Sequence, residues 1–298
     1  MDKKTVENYR KAGEITKEMQ EFSAKKLKEG ANLYEFAEHI ESEIRKKGGA
    51  PAFPINLSMN NVAAHYTPSF ESADVLLEGA VIKVDIGVHV NGFIADSAFT
   101  IDFSGKHKEM VETTEQALEE AVKMFKEGVS VGALGKKIES TLRAKGFRPI
   151  QNLSGHGVSE YDAHVGPSIP NIANNDSREI EEGMAIAIEP FATDGEGFVR
   201  EGSQAEIFQV AEKVPVRGME ARKILAFVED NYSKLPFAER WLQRNLKMSD
   251  FARKIGMREL MQKKCIMAFP LLKEEEGKTV CQAETTLLAH EGKVIRLL

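Results

Sequence analysis

The tightest constraint on this chain is Asn91-Gly92, a two-residue turn signal between alternating runs in KVDIGVHVNGFIADSAFTIDF, residues 83–103. Asn and Gly tolerate the positive φ angles of a tight hairpin, so the flanking runs are expected to pair antiparallel. Pairing Val90 with Phe93 sets Asp85 opposite Ala98 and Asp96 opposite Gly87. The two carboxylates then share a face as diagonal neighbours, with Cα atoms about 7–8 Å apart. The other face carries Ile82, Val84, Ile86, Val88, Val90, Phe93, Ala95, Phe99, Ile101 and Phe103, which predicts a core-facing surface. Taken alone, the hairpin reads as half-buried, with its aspartates facing water.

Around it, the chain divides by periodicity. Val6, Tyr9, Ala12, Ile15 and Met19 recur at helical spacing, and the first ~50 residues read as helical up to Lys46-Lys47-Gly48-Gly49. Pro51, Pro54 and Pro68 forbid a long helix in PAFPINLSMNNVAAHYTPSF. Helices are predicted over 108–127 and 132–145, the second ending at Gly146. NLSGHGVSEYDAHVGPSIPN reads as a glycine- and histidine-rich loop, MAIAIEPF as a strand, and the end of the chain as a hairpin turning at Glu291-Gly292. Residues 197–268 stand apart as a small helical subdomain, inserted between two strands of a main body formed by 1–196 plus 269–298. Its apolar residues Ile224, Phe227, Val228, Trp241, Leu242, Leu246, Phe251 and Ile255 fall at helical spacing.

The 298 residues suffice for a sizeable core, and 42% apolar with 29% charged residues is the balance of a soluble globular protein. A net charge of −6 argues against a general nucleic-acid binder. It hides an asymmetry: residues 217–264 hold 12 Lys/Arg against 6 Asp/Glu. That excess reads either as a solvated helical surface or as a basic face for something anionic, such as ribosomal RNA. Cys265 and Cys281 cannot build a disulfide framework. With no apolar run of signal-peptide or membrane-span length, the chain reads as cytoplasmic, with no membrane and no specific DNA among its partners.

Besides the aspartates, His156 in Ser154-Gly155-His156-Gly157, His164 eight residues later, Glu189 before Pro190, and Glu284 in Gln282-Ala283-Glu284 stand out. The glycines beside His156 would let a backbone approach a bound group closely. Glu189 and Glu284 interrupt apolar runs, and a buried carboxylate is costly unless a cation compensates it. Two divalent cations would cancel four carboxylates, with a neutral imidazole completing the set. Such ligands suit Mn²⁺, Fe²⁺, Co²⁺ or Zn²⁺ without choosing among them. The separations form no local metal motif, so a metal centre and ordinary strand ends both remain open on spacing alone.

The ordered set Asp85, Asp96, His156, Glu189 and Glu284 resembles the five metal ligands of the methionine aminopeptidase family. Its context does too: NNVAAHYTP, GHG with His164 following, AIEPF and QAET. The long gap before Glu284 is similar to the insertion of the type II subclass, in the short form typical of archaea. The resemblance implies an α/β (α+β) pita-bread fold with a central antiparallel sheet and the inserted helical subdomain, holding two divalent metal ions per chain. It implies that Asp85 chelates one ion, that Asp96 and Glu284 bridge both, and that His156 and Glu189 complete the second. Gly87, opposite Asp96, would leave room for the ions. The implied activity is removal of the N-terminal methionine from nascent polypeptides when the second residue is small. A metal-bridging hydroxide would attack the first peptide carbonyl, with Glu189 as general base and His164 and His65 contacting the substrate. Phe53, Phe191 and His65 resemble the lining of the methionine pocket, while Ala163 stands where many type II enzymes carry a larger aliphatic residue. Prolidases and X-Pro aminopeptidases share the fold but usually carry an extra N-terminal domain and no insertion here. Metal-free homologues that act as ribosome-associated adapters lose ligands, and all five are present in this chain.

Overall fold

The computed structural model describes residues 1–212 and 214–298. Helix Lys3–Lys26 starts where the Asp2 carboxylate accepts the Thr5 N–H at 2.7 Å, and helix Leu33–Lys46 where Asn32 accepts that of Glu35 at 2.9 Å. The stripe Val6, Tyr9, Ala12, Ile15 and Met19 is buried as its spacing predicts. From Tyr9 onward it packs on the apolar face of the hairpin formed by strands Val81–Val90 and Phe93–Asp102. The hairpin register matches the expectation, with Val90 opposite Phe93, Asp85 opposite Ala98 and Gly87 opposite Asp96. Strands Ala50–Pro51 and Asn56–Met59 complete this sheet, and the prolines keep the segment in short extended pieces.

A second antiparallel sheet runs Lys293–Arg296, Thr285–His290, Ala185–Ile188, Ser154–Ser159, Asp162–Pro170. Helices Lys108–Met124 and Val131–Arg143, slightly shorter than predicted, cover one side of it. Ala185 and Ala187 face the first core, Ile186 and Ile188 the second. The segment around His156 is therefore a correction to the sequence reading: it is a strand pair turning at Glu160-Tyr161, not a loop. Its glycines admit neighbouring backbone rather than a ligand, because a Cβ on Gly155 would lie 2.3 Å from the Ala187 carbonyl oxygen.

Residues 197–268 open on strand Arg200–Val210 instead of a helix. This strand pairs antiparallel with Ile266–Lys273, and helices Met219–Tyr232, Glu239–Asn245 and Asp250–Gln262 lie between them. Ile224, Val228, Phe237, Trp241 and Leu242 form a separate core, whereas Phe251 and Ile255 face outward at 75% and 45% exposure. Arg240 and Arg253 are buried in ion pairs, so the basic excess is not all surface. No helix among the described residues is long and apolar enough to cross a membrane, and both cysteines are free and buried.

The Gly155 contact makes a direct prediction. Gly155→Ala should cost about 1–3 kcal/mol or more, the range for overpacked interiors, because backbone and not a flexible side chain must yield. Urea unfolding would read this as a lower midpoint at unchanged slope.

Candidate metal and substrate site

Alternation along the strands brings the site together from two sheets. His156 lies opposite Ala187, and Thr286 flanks Ala187 on the other side. Glu189 continues the parity of Ala185 and Ala187, so the second sheet turns His156, Glu189 and Glu284 toward the hairpin face that carries Asp85 and Asp96. A seam of hydrogen bonds fixes the two sheets against each other. Thr286 Oγ1 accepts from the Asp96 N–H and donates to the Asp96 carbonyl, both at 2.8 Å. The Glu284 N–H donates to the Ala98 carbonyl at 2.8 Å, and Ser97 Oγ donates to the Glu284 carbonyl at 2.5 Å.

All five sequence-predicted residues therefore line one cavity of about 380 Å³. His156 Nε2 stands 3.7 Å from both Asp96 Oδ2 and Glu189 Oε1, and its Nδ1 lies 3.2 Å from the Gly157 carbonyl. A ring nitrogen from His156 and one oxygen each from Asp96 and Glu284 lie within 4.8 Å of one another, close enough to hold one ion. The water-facing reading of the hairpin is overturned: Asp96 is 2% exposed, and the partly buried Asp85 lines the same cavity.

The electrostatics call for a cation. Asp85 Oδ1 and Asp96 Oδ1 are buried with no hydrogen-bond partner. Burial pushes the Asp85 carboxyl up from 3.8 to about 7. Burial and the neighbouring carboxylates hold Asp96, Glu189 and Glu284 well above the ordinary range. Burial lowers His156 to about 4, so its imidazole is neutral, the form that can ligate a metal. Four desolvated carboxylates, two orphaned oxygens and a neutral imidazole fit divalent cations and fit no apolar ligand.

The substrate side is apolar and aromatic. Phe53, His65, His164 and Phe191 line the same cavity, joined by Phe269, Ile207 and Leu272. His164 lies with its ring centroid 4.2 Å from that of His156, and His65 meets the Phe269 ring edge at 5.5 Å. Gly87 does not leave space for ions: a Cβ there would lie 2.2 Å from Phe53 Cε1, so the missing side chain admits the Phe53 ring. Ala163 is fully buried in the first core and does not line the cavity.

Two residues the sequence reading passed over also matter. Gln282 Nε2 lies 3.3 Å from both Glu189 Oε2 and Glu284 Oε2 and steadies the pair. Asn56 sits opposite Asp85 and lines the cavity. Strand parity held the signal for both, since Gln282 shares its face with Glu284 and Asn56 shares one with Asp85.

The profile of metallopeptidase family M24 matches residues 7–226. The methionine aminopeptidase of Methanocaldococcus jannaschii is 40% identical over 292 residues, covering 97% of this chain and 98% of the relative. Two solved structures share the pita-bread fold at low identity. A thermophilic Arx1 superposes at TM-score 0.86 with 15% identity, covering 100% of this chain and 91% of that one. The methionine aminopeptidase of Thermotoga maritima gives TM-score 0.72 and 21% identity, covering 100% of this chain and 97% of that one. With the family profile spanning most of the chain and a relative 40% identical along nearly all of it, the chain belongs to metallopeptidase family M24, among the methionine aminopeptidases.

Proposed function

We propose that this chain is a divalent-metal-dependent methionine aminopeptidase that removes the N-terminal methionine of polypeptides whose second residue is small. The observation that carries the reading is the union, in one cavity, of four carboxylates, Asp96 and Glu284 buried and Asp85 and Glu189 partly so, with His156 and an apolar wall of Phe53 and Phe191. Asp85, Asp96, His156, Glu189 and Glu284 would hold two ions, of Co, Mn, Fe or Zn. Such ions supply Lewis acidity toward a peptide carbonyl and lower the pKa of water.

The chain's own groups do the rest. Glu189, beside His156 and Gln282, takes the proton of the attacking water on a carboxylate oxygen and returns it to the leaving amine. His164 and His65 present ring nitrogens toward the peptide, and burial keeps His65 neutral. Phe53 and Phe191 take the methionine side chain, and the crowded site disfavours a bulky second residue.

Residues 197–268 are an insertion into the catalytic body 1–196 plus 269–298. Their separate core supports this division, while strand Ile266–Lys273 crosses its boundary and pairs with Val62–Ala64 of the body. We infer that the work is done in the cytoplasm on nascent chains. The outward Phe251 and Ile255, among the basic residues of the insert, support a ribosome contact. Co-sedimentation with ribosomes that weakens from low to high salt is the expected result, and salt-independent behaviour would remove the contact.

Hydrolysis of a Met-Ala-Ser peptide against an Ala-Pro dipeptide tests the central reading, using chelated protein with metal restored. Cleavage of the methionyl peptide is expected; cleavage of the proline substrate alone would make the chain a prolidase. Asp96→Asn or Glu284→Gln should lose activity and bound metal together, measured by turnover and elemental analysis.

Removal of the ions should also make stability depend on pH. A folded carboxyl at about 7 against an ordinary 3.8 means that the folded chain binds the extra proton in that interval. Asp85 therefore favours folding below about pH 4, and this contribution is lost as pH rises toward 7. The melting temperature of chelated protein should fall between about pH 5 and about pH 7.5, and added Mn²⁺ should abolish the fall.

A further inference from the structure

We propose that Arg240 is a positioning residue for His65: a guanidinium from the inserted helices sets the cavity wall that this histidine forms. The inference rests on reading the cavity as a peptide site. Arg240 lies on helix Glu239–Asn245 with its side chain out of solvent. Its Nη1 donates to Thr67 Oγ1 at 2.5 Å and to the Pro68 carbonyl at 3.2 Å, two and three residues beyond His65. Its Nη2 donates to the fully buried Glu41 carboxylate, and its Nε to Glu38 Oε1 at 3.2 Å. Glu41 also accepts from Trp241 Nε1 at 2.6 Å and from the Ile55 N–H at 3.4 Å. One planar fork thus ties the insert, helix Leu33–Lys46 and the His65 segment together.

His65 needs such a tie. Its φ of +67° is uncommon for a residue with a side chain and persists only where the surroundings over-determine it. On one side its Nδ1 lies 3.1 Å from the Pro270 carbonyl, on the strand that returns from the insert. On the other, Arg240 holds Thr67 and Pro68. A buried ion pair is weak evidence for stability, because apolar residues of similar volume do as well. What the guanidinium adds is one rigid plane whose Nη1 holds the loop while Nη2 and Nε hold Glu41 and Glu38, a fork that a lysine cannot supply.

The test follows His65 itself. In zinc-reconstituted protein labelled with ¹⁵N-histidine, Arg240→Met with Glu41→Met removes both charges and leaves no lone buried ion. The His65 ring signals should move while those of His156 stay, at unchanged circular dichroism. Should that pair fail to fold, Arg240→Lys keeps a charge beside Glu41, loses the fork, and carries the same expectation. In both, kcat on the Met-Ala-Ser peptide should fall roughly 10- to 100-fold with KM within about threefold, as a misplaced group predicts. In a His65→Ala background the Arg240 substitution should add nothing. Unmoved His65 signals, or an additive loss in that background, would overturn the assignment. A wild-type chain that leaves the peptide intact would refute the peptidase reading instead, and the NMR comparison would still decide the role of Arg240.

Discussion

Asp96 and Thr286 grip each other through two hydrogen bonds of 2.8 Å, and the site depends on that seam. Each partner belongs to a different sheet, so the bonds fix the separation of the two faces that carry the acidic groups. Carboxylates repel when desolvated, and without a rigid seam the sheets would relieve that repulsion by parting. The Glu284 N–H on the Ala98 carbonyl extends the seam by a backbone pair, and Ser97 Oγ on the Glu284 carbonyl by a side-chain donor. Each of the four bonds holds the backbone of Asp96 or Glu284, so the spacing of these two carboxylates is set from their main chain.

The cavity is asymmetric in a way that suits its chemistry. Its floor is acidic and its wall is aromatic, and the two come from different parts of the chain. Phe53 stands on the floor's edge only because Gly87 has no side chain. The insert adds Ile207, so a segment with its own core also borders the cavity.

Much of this was legible in the sequence. Asn91-Gly92 and strict alternation set the hairpin register, and the stripe from Val6 to Met19 marked the helix that covers it. Whether the Asp face was wet was not legible locally, because a hairpin pattern looks the same whether its polar face meets water or a second polar face. The order of His156, Glu189 and Glu284 resolved this only through resemblance. Gly155 and Gly157 misled for a physical reason: glycine signals a turn where φ is positive, but here it admits an adjacent strand. Phe251 and Ile255 fall at core spacing yet face outward, since periodicity identifies a stripe but not what covers it.

Strand Ala185–Ile188 presents alanines to one core and isoleucines to the other. It is a party wall, and the two halves of the molecule cannot melt separately while they share it. Amide protons along this strand are then expected to exchange only with opening of the whole body, which makes it the slowest-exchanging part of the chain. The site hangs on that wall through His156 and Glu189, so its geometry inherits the stability of the whole body and not that of either half.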